Sequence, residues 1–335
     1  MLASVKAHEA AVAGVAWRDG DGGLATVALD GAVRLWRHDS EAEAKVEAHN
    51  RAVAAAKTKE EKAEVEKAKA PPPILSAVKR LEGAHAGGAV AVTASLDGST
   101  VVSSGVHGDM TVWDAATWRP RARLADATPS ESWRLAAAPA APLFAAGGLG
   151  GVVGLYGLAD GVKVGEVATG ADFISGLSWS LDGSRLAAAG MDGSLTVVDV
   201  ASATVRTRID AHLLPARAVA FSHDGQLLYS ASDDRRVGIW DVSAGAPAAP
   251  LVRALTGHVH WVTAVSAAPD KHVAATGSAD GTVRVWDVRA GAALSTFDTH
   301  TGKVWGVAWN PAGNRLASVS DAGALALHAV AVAGS

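Results

Sequence analysis

Apolar residues along most of the chain alternate with polar or small residues at a period of two, which is the spacing of a β-strand and not of a helix. Residues 262–265, 273–276 and 282–286 are typical, since each is a short run rich in β-branched side chains. Asp-Gly pairs, which favour tight hairpin turns, separate such runs at Asp30-Gly31, Asp97-Gly98, Asp182-Gly183, Asp192-Gly193, Asp224-Gly225 and Asp280-Gly281. The pattern predicts many short antiparallel strands joined by hairpins.

This strand pattern repeats seven times. Five histidines each precede a tryptophan or a histidine by 28 residues, in the pairs His8 and Trp36, His85 and Trp113, His212 and Trp240, His258 and Trp286, and His300 and His328. Two weaker copies place Tyr156 and Val198 at the tryptophan position. Successive tryptophan positions lie 42 to 46 residues apart, except for a first interval of 77. Four short strands per repeat of this length are typical of β-propeller blades. The sequence therefore predicts an all-β fold, a seven-bladed propeller.

The repeats occupy the whole chain, so we expect residues 1–335 to form a single propeller domain. After His328 too few residues remain for a fourth strand in blade 7. Residues 2–6, in contrast, precede the first histidine at the place where every other repeat has its outermost strand. We expect this N-terminal strand to complete blade 7 and to close the ring, which leaves no long open sheet edge.

The long first interval contains an insertion at residues 39–73. It is rich in Ala, Glu and Lys and ends in three consecutive prolines. Its composition favours a helix, but it has no sustained apolar stripe, so a solvated helix or a disordered segment is expected in preference to a docked helix. It falls between the third and fourth strands of blade 1, on the bottom rim, where it leaves the top face clear.

The overall composition excludes several kinds of function. Hydrophobic residues make up 49% of the 335 positions, which is enough for a sizeable core. With 30 Lys and Arg against 34 Asp and Glu, the net charge is -4, so direct binding to DNA or RNA is not expected. Cysteine is absent, which excludes disulfides, thiolate metal sites and cysteine nucleophiles. The absence of an apolar stretch of about 18 residues argues against a membrane span. Lys6, His8 and Glu9 interrupt the apolar residues of the N-terminus, so a signal peptide is not expected.

Three units carry a complete set of His, Ser or Thr, Asp and Trp. The sets are His8, Thr26, Asp30 and Trp36; His212, Ser230, Asp234 and Trp240; and His258, Thr276, Asp280 and Trp286. A Ser-His-Asp group suggests hydrolysis, but three equivalent copies favour a device of the fold. We interpret each set as a buried hydrogen-bonded chain, in which imidazole links the hydroxyl to the carboxylate and the hydroxyl accepts the indole N–H. In unit 2, His107 stands at the Asp position, and unit 7 has Ala322 there and His328 in place of Trp.

Other chemical motifs lack the context that their chemistry needs. His258 and His260 have the spacing of metal ligands, but His258 is assigned to the hydrogen-bonded set. The glycine-rich residues 147–154 lack the lysine and the following helix of a phosphate-binding loop. The sequence therefore predicts no enzyme activity, no metal and no cofactor.

The ends of the repeats resemble the WD-repeat family, in Gly257-His258 and in Trp240-Asp241 and Trp286-Asp287. Apart from the insertion, the chain is further similar to the small WD-repeat subunits that the superkiller (Ski) complex shares with the RNA-polymerase-associated Paf complex. The matching stretches are Ala7-His8, Val15-Ala16-Trp17, residues 132–136, Phe173-Ile174-Ser175, residues 230–234, Gly257-His258, Trp261-Val262 and residues 303–307.

This resemblance implies a scaffold, without catalysis, that holds a tetratricopeptide-repeat protein and a helicase for 3′-5′ messenger-RNA decay with the exosome in the cytoplasm. It also implies a role in transcription elongation in the nucleus, with polymerase-associated factors as partners. The propeller is then expected to be a monomer within a hetero-complex, with no direct contact to nucleic acid or membrane.

Two alternatives stay open at this stage. Trp286-Asp287-Val288-Arg289 matches the Trp-Asp-x-Arg pattern of substrate receptors of cullin-RING ubiquitin ligases, although the blade itself requires Trp286 and Asp287. A scaffold of another kind, such as a ciliary one, is the second alternative.

Repeat offsets predict which residues form the top face, at the start of each innermost strand and before each second-to-third-strand turn. They are Glu131, Trp133, Leu149, Phe173, Ser175, Met191, Arg217, Asp233, Trp261, Lys303, Trp305 and Asp321. Their four large aromatics either line the channel wall or hold a partner. The family resemblance implies capture of a short segment with an Arg, which Asp233 and Asp321 would pair, and an apolar residue.

Overall fold

Seven four-stranded antiparallel sheets form a closed ring in the computed structural model of the chain. The structure describes residues 1–18, 23–55, 73–124, 133–243, 249–269 and 272–330. These residues contain 28 β-strands and one α-helix. The expected all-β, seven-bladed propeller is confirmed.

The blades follow one another along the chain. Blade 1 contains β2 (Val12–Trp17), β3 (Gly23–Ala28), β4 (Val33–His38) and β5 (Leu75–Leu81); blade 2 contains β6 (Ala89–Ala94), β7 (Thr100–Gly105), β8 (Met110–Asp114) and β9 (Pro120–Leu124). Blade 3 contains β10 (Arg134–Ala137), β11 (Leu143–Gly147), β12 (Val152–Gly157) and β13 (Lys163–Ala168); blade 4 contains β14 (Ile174–Trp179), β15 (Arg185–Gly190), β16 (Ser194–Asp199) and β17 (Thr204–Asp210). Blade 5 contains β18 (Ala216–Phe221), β19 (Leu227–Ser232), β20 (Arg236–Asp241) and β21 (Leu251–Thr256); blade 6 contains β22 (Val262–Ala267), β23 (Val273–Ser278), β24 (Thr282–Asp287) and β25 (Ala292–Asp298).

Blade 7 joins the two ends of the described chain. Its strands are β26 (Val304–Trp309), β27 (Arg315–Ser320), β28 (Ala324–Ala329) and, as the outermost strand, β1 (Ala3–Lys6). β1 is antiparallel to β28, with Ala3 opposite Leu327 and Lys6 opposite Ala324. The predicted closure of blade 7 by the N-terminal strand is confirmed.

The core lies between neighbouring blades, because a single four-stranded sheet cannot bury its own apolar faces. β23 is buried along its whole length, whereas β25 near the outside is mostly exposed. Ile239 and Leu255 of blade 5 pack in one cluster with Val262 and Trp286 of blade 6. At the seam between the ends of the ring, Trp36 of blade 1 belongs to a similar cluster with β27 and β28.

Three tryptophans at the ends of inner strands tie adjacent blades together through their indole N–H groups. Trp17 donates to the carbonyl of Ala308 at 2.9 Å, Trp179 to that of Ala136 at 2.9 Å, and Trp309 to a carbonyl of blade 6 at 3.2 Å. A buried indole requires such an acceptor. These bonds explain part of the high tryptophan content of the chain.

The insertion begins with helix α1 (Ser40–Ala55), between the third and fourth strands of blade 1. Asp39 caps it, since its carboxylate accepts the backbone N–H of Ala42 at 2.9 Å. Residues 56–72 lie outside the described part of the chain. None of the described helices is both long and apolar enough to cross a membrane.

The first turns of α1 are docked and not solvated, which corrects the expectation from the sequence. Ala42 is completely buried, and Val46 packs against the cluster at the seam between blades 1 and 7. The Glu43 carboxylate is buried and accepts hydrogen bonds from Arg315 of blade 7 and from His38, the latter at 2.6 Å. The helical pattern shows no apolar stripe because the docked face is built around a buried ion pair as well as apolar side chains.

Candidate functional site

The three complete sets of His, hydroxyl, Asp and Trp each form one hydrogen-bonded chain. In blade 6, Trp286 Nε1–H donates to Thr276 Oγ1 at 2.8 Å, Thr276 Oγ1 lies 2.8 Å from His258 Nε2, and His258 Nδ1 lies 3.0 Å from the carboxylate of Asp280. Because a carboxylate only accepts, His258 Nδ1 carries a proton that points to Asp280. Burial lowers the pKa of His258 and keeps the ring neutral, so Nε2 accepts the proton of the Thr276 hydroxyl.

Blades 1 and 5 have the same geometry. In blade 1 the distances from Trp36 through Thr26 and His8 to Asp30 are 3.0, 2.9 and 3.1 Å. In blade 5 the distances from Trp240 through Ser230 and His212 to Asp234 are 2.9, 2.7 and 2.8 Å.

These hydrogen-bonded chains contain the residue types of a hydrolase triad, but their hydroxyl groups are not accessible to a substrate. The hydroxyls of Thr26, Ser230 and Thr276 belong to side chains that are 0% exposed, so no substrate carbonyl can approach them. Burial lowers the pKa of His8 and of His258, although their Asp partners act in the opposite direction. The lowered pKa keeps these imidazoles neutral, as the hydrogen-bond pattern requires.

Blade 2 forms a fourth complete chain that the sequence interpretation missed. Trp113 Nε1–H donates to Ser103 Oγ at 2.8 Å, Ser103 lies 2.7 Å from His85 Nε2, and His85 Nδ1 lies 2.5 Å from Asp109, not from His107. Asp109 stands two residues beyond the usual Asp position.

Blade 6 shows why the later position serves equally well. There Thr282, also two residues after the Asp position, places its hydroxyl 3.3 Å from the same imidazole nitrogen, His258 Nδ1. Both positions of this turn thus face the histidine, and Asp109 supplies the carboxylate that His107 replaces at the usual position.

Blade 7 replaces the tryptophan by a second histidine. Ser318 Oγ lies 2.7 Å from His300 Nε2 and 2.8 Å from His328 Nε2. Neither Nδ1 atom has a hydrogen-bond partner among the described residues. Burial lowers the pKa of His300 to about 4 and that of His328 to about 3, so both are neutral at pH 7. Blade 3 relies on aromatic packing, with Phe144 and Tyr156 stacked at a centroid distance of 5.2 Å.

The top mouth of the central channel is formed by two positions per blade at the start of the inner strand. In six blades this strand begins with a β-bulge, so the residue before the strand and the bulged residue are both placed at the mouth. The residues before the strand include Phe173, Trp261 and Lys303. The bulged residues include Ser175, Arg217 and Trp305.

Blade 3 keeps the register of its neighbours. Arg134 is directly opposite Gly147, as Gly176 is opposite Ala189 in blade 4. Trp133 therefore stands at the position of the bulged residue Ser175, and Arg134, which the offsets did not select, follows it at the position of Gly176. Glu131 lies outside the described residues.

The mouth encloses a cavity of about 440 Å³ with a mostly apolar wall. Seven of the predicted residues line it, namely Trp133, Phe173, Ser175, Met191, Arg217, Trp305 and Asp321. The sequence missed its other lining residues, which are Ala11, Val12, Ala13, Leu29, Val90 and Arg134. The small residues of blade 1 give the cavity its width, and no aromatic signal marks them in the sequence.

Within this cavity, Trp133 and Phe173 meet edge to face at 6.0 Å between ring centroids. Ser175 is buried, and its single hydroxyl proton is shared between the backbone carbonyls of Ala189 and Ala216, so it holds blades together and is not available to a ligand.

Four predicted residues lie outside the cavity. Leu149 is 51% exposed and forms a β-bridge with Phe173. Trp261 is 37% exposed, with Arg217 and Lys303 each 5.6 Å from its ring centroid. Lys303 and Asp233 are the third and fourth of these residues.

The charges of the mouth differ from those expected. Asp233 is buried and accepts two hydrogen bonds from Arg217, at 2.8 and 2.6 Å, so it is not free to pair an Arg of a partner. Asp321 lies over Gly302, where a Cβ atom would stand only 1.9 Å from its Oδ1. Its carboxylate has no hydrogen bond or ion pair within the described part of the chain.

The described residues contain no group of three or more side chains suited to a metal ion. His258 is bound to Thr276 and Asp280, and His260 Nδ1 accepts the backbone N–H of Trp261 at 2.9 Å. This pair therefore has no common coordination point.

Comparisons with known proteins agree with this architecture. The chain matches the model of the family "WD domain, G-beta repeat" over residues 1–37, 164–199, 203–241, 249–287 and 291–325. It is 36% identical over 247 residues to the WD repeat-containing protein SL1-17 of Schistosoma mansoni, which covers 74% of this chain and 80% of that protein.

Two further relatives match shorter parts. Over 171 residues the chain is 28% identical to the meiotic recombination protein rec14 of Schizosaccharomyces pombe, covering 51% of this chain and 57% of rec14. Over 166 residues it is 31% identical to the WD repeat-containing protein VIP3 of Arabidopsis thaliana, covering 45% of this chain and 51% of VIP3.

The family model does not match residues 38–163, which include blade 2 with its displaced Asp109 and most of blade 3. These two blades nevertheless complete the same ring, with the same sheet order and, in blade 2, the same hydrogen-bonded chain. The chain belongs to the WD-repeat family.

Proposed function

We propose that this protein is a scaffold without catalytic activity, which captures a short segment of a partner protein in the top mouth of its channel. WD-repeat proteins generally act as scaffolds and bind protein partners. The observation that supports this site is the cavity of about 440 Å³ at which Trp133, Phe173 and Trp305 converge. Partly exposed aromatic side chains around a preformed apolar cavity are the usual anchors of a protein interface.

The charges of the mouth limit how a basic residue of the segment would bind. Because Asp233 is already paired with Arg217, Asp321 is the carboxylate of the described cavity wall that is available to a partner. An Arg of the partner would pair with Asp321 while an adjacent apolar residue packs against the aromatics.

We assign the scaffold to the Ski complex, the Paf complex or both, on the strength of the resemblance of residues 132–136, 173–175 and 303–307 to the small WD-repeat subunit of those assemblies. The partners are then a tetratricopeptide-repeat protein, a helicase and polymerase-associated factors, in the cytoplasm and the nucleus. The relative rec14 is named a meiotic recombination protein, which is a different process.

The geometry does not favour a ubiquitin-ligase substrate receptor. Trp286 and Val288 are buried, and the Asp287 carboxylate accepts the backbone N–H of Ala290 at 2.8 Å in the turn that follows the strand. Of the four residues of the pattern, Arg289 alone is exposed.

Affinity purification followed by mass spectrometry of the bound proteins tests the proposal. A helicase and a helical-repeat protein are expected with the wild-type chain, whereas a ligase adaptor or ciliary proteins would contradict the assignment. Trp133→Ala and Trp305→Ala should each weaken partner binding by about 2 kcal/mol or more, which is roughly 30-fold.

Trp118→Ala is the matched control, because Trp118 is a half-buried tryptophan that lies outside the cavity, against Arg18 of blade 1. It should retain the partners. If both mouth variants fold and bind partners with wild-type affinity, the binding face is elsewhere.

A further inference from the structure

The cavity wall contains a cation that has no counterion. Arg134 donates from Nε to the carbonyl of Ser175 at 2.5 Å and from Nη1 to the carbonyl of Trp133 at 3.2 Å. These bonds use two of the five N–H groups of the guanidinium. No carboxylate pairs with Arg134 among the residues that the structure describes.

This location is costly for a positive charge. Burial and, to a smaller extent, the nearby positive charge of Arg217 lower the pKa of Arg134 to about 10. Arg217 has its own counterion in Asp233, so that carboxylate cannot also serve Arg134. Arg134 is partly exposed at the cavity wall, so its guanidinium is accessible to a carboxylate of a bound segment and would gain a charge-assisted pair from it.

Arg134 stands at a position where the neighbouring blades 2 and 4 have the small residues Ala91 and Gly176. The longer Arg134 reaches the next blade, where its Nε donates to the carbonyl of Ser175. The rest of its planar head remains at the cavity, where it can form a two-point pair with a carboxylate.

We infer that the partner segment held in the channel mouth carries an acidic side chain, which pairs with Arg134. This inference rests on the proposed function and specifies the chemistry of the partner. Asp321 in blade 7 provides the opposite charge on the same cavity wall, three blades away from Arg134 around the ring. A segment with an acidic residue for Arg134 and a basic residue for Asp321 would therefore bind in one direction only.

A phage-displayed library of random linear peptides provides the probe. Selections run in parallel on the wild-type protein, Arg134→Met, Asp321→Asn and Trp305→Ala, with Arg206→Met as the control. Arg206 is an exposed arginine of an outer strand of blade 4, so its substitution changes the net charge equally without affecting the mouth.

The wild-type protein and the control should enrich peptides that combine Asp or Glu with an apolar residue and Lys or Arg. Arg134→Met should lose the acidic preference and keep the apolar one, whereas Asp321→Asn should lose only the basic preference. If the wild-type protein enriches no peptides, or if every peptide that it enriches also binds to Trp305→Ala, the proposed channel site itself is wrong. If the wild-type protein and Arg134→Met enrich apolar peptides with the same content of Asp and Glu, the channel site stands and the inference about Arg134 is wrong.

A binding titration with a selected peptide makes the result quantitative. Replacing its acidic residue by the amide should weaken binding to the wild-type protein about tenfold or more, and should have no effect on Arg134→Met. Arg134→Lys retains the charge and should recover part of the affinity, which separates loss of the pair from loss of the fold. Equal effects of the amide peptide on the wild-type protein and Arg134→Met would overturn the inference.

Discussion

The hydroxyl of Thr276 can be removed almost without changing the shape of the core, which makes it the sharpest test of the hydrogen-bonded chains. Thr276→Val replaces the hydroxyl by a methyl group at a side chain that is 0% exposed. The change removes two hydrogen bonds of 2.8 Å at once. It leaves the indole N–H of Trp286 and Nε2 of His258 without a partner inside the blade.

Two buried polar groups without partners set the magnitude of the effect. Each one costs about 1–3 kcal/mol, so Thr276→Val should lower the free energy of unfolding by about 2–6 kcal/mol. Thr276→Ser keeps the hydroxyl and loses one buried methyl group, which should cost about 1 kcal/mol. Serine already performs this role as Ser103, Ser230 and Ser318. The difference between the two variants isolates the hydroxyl from the packing of the side chain.

Urea unfolding at pH 7, followed by circular dichroism, measures this difference. Trp286→Phe provides an intermediate case, because it removes one donor and leaves Thr276 bonded to His258, and we expect a loss of about 1–3 kcal/mol. If Thr276→Val and Thr276→Ser unfold at the same urea concentration, the chain does not stabilise the blade as argued. A hydrolytic activity that Thr276→Val abolishes in a stably folded protein would show that the set is catalytic.

Three further outcomes are expected. Deletion of residues 2–6 should expose the edge of β28 and lower the melting temperature or cause aggregation, whereas an unchanged melting curve would show that the ring closes without β1. Glu43→Ala should lower the free energy of unfolding, measured in urea, by about 2–4 kcal/mol, because it leaves the partly buried Arg315 without its ion pair. Replacement of residues 56–70 by a Gly/Ser linker should change this free energy by less than about 1 kcal/mol. A larger loss from the linker than from Glu43→Ala would contradict the docking of α1. Acidification should destabilise blade 7, because His300 and His328 have folded pKa values below the ordinary 6.5. Their contribution is complete above pH 6.5 and is lost as the pH falls toward 4 and 3, so a urea midpoint that stays constant from pH 7 to 4 would contradict it.

The number of blades and their closure could be predicted because both depend on local patterns. The constant spacing between His258 and Trp286 and its counterparts fixes the repeat, and the missing strand after His328 requires a strand from elsewhere. Strand period and Asp-Gly turns are short-range features that each repeat carries independently. Weak copies such as blades 3 and 4 are then identified by their place between strong ones.

The details of the site could be predicted in part from the repeat register. Offsets from the histidine place Trp133, Phe173 and Trp305 at the cavity, because blade 3 keeps the register of its neighbours. They did not select Arg134, since the equivalent residues Ala91 in blade 2 and Gly176 in blade 4 carry no charge. The pairing of Asp233 with Arg217 was missed because both residues were counted as parts of an open surface.

Helix α1 shows most clearly why spacing alone does not reveal a contact. Glu43 belongs to a segment whose charges nearly cancel, and its position in a charged helix predicts a solvated side chain. In the ring, however, blade 1 and blade 7 are neighbours because β1 closes the sheet, so Arg315 comes to lie beside the first turn of the helix. The contact joins residues 272 positions apart and exists only after closure. The seam is therefore held by β1 at the outer edge and by the first turns of α1 on the bottom face, in addition to the Trp17 bond between the inner strands.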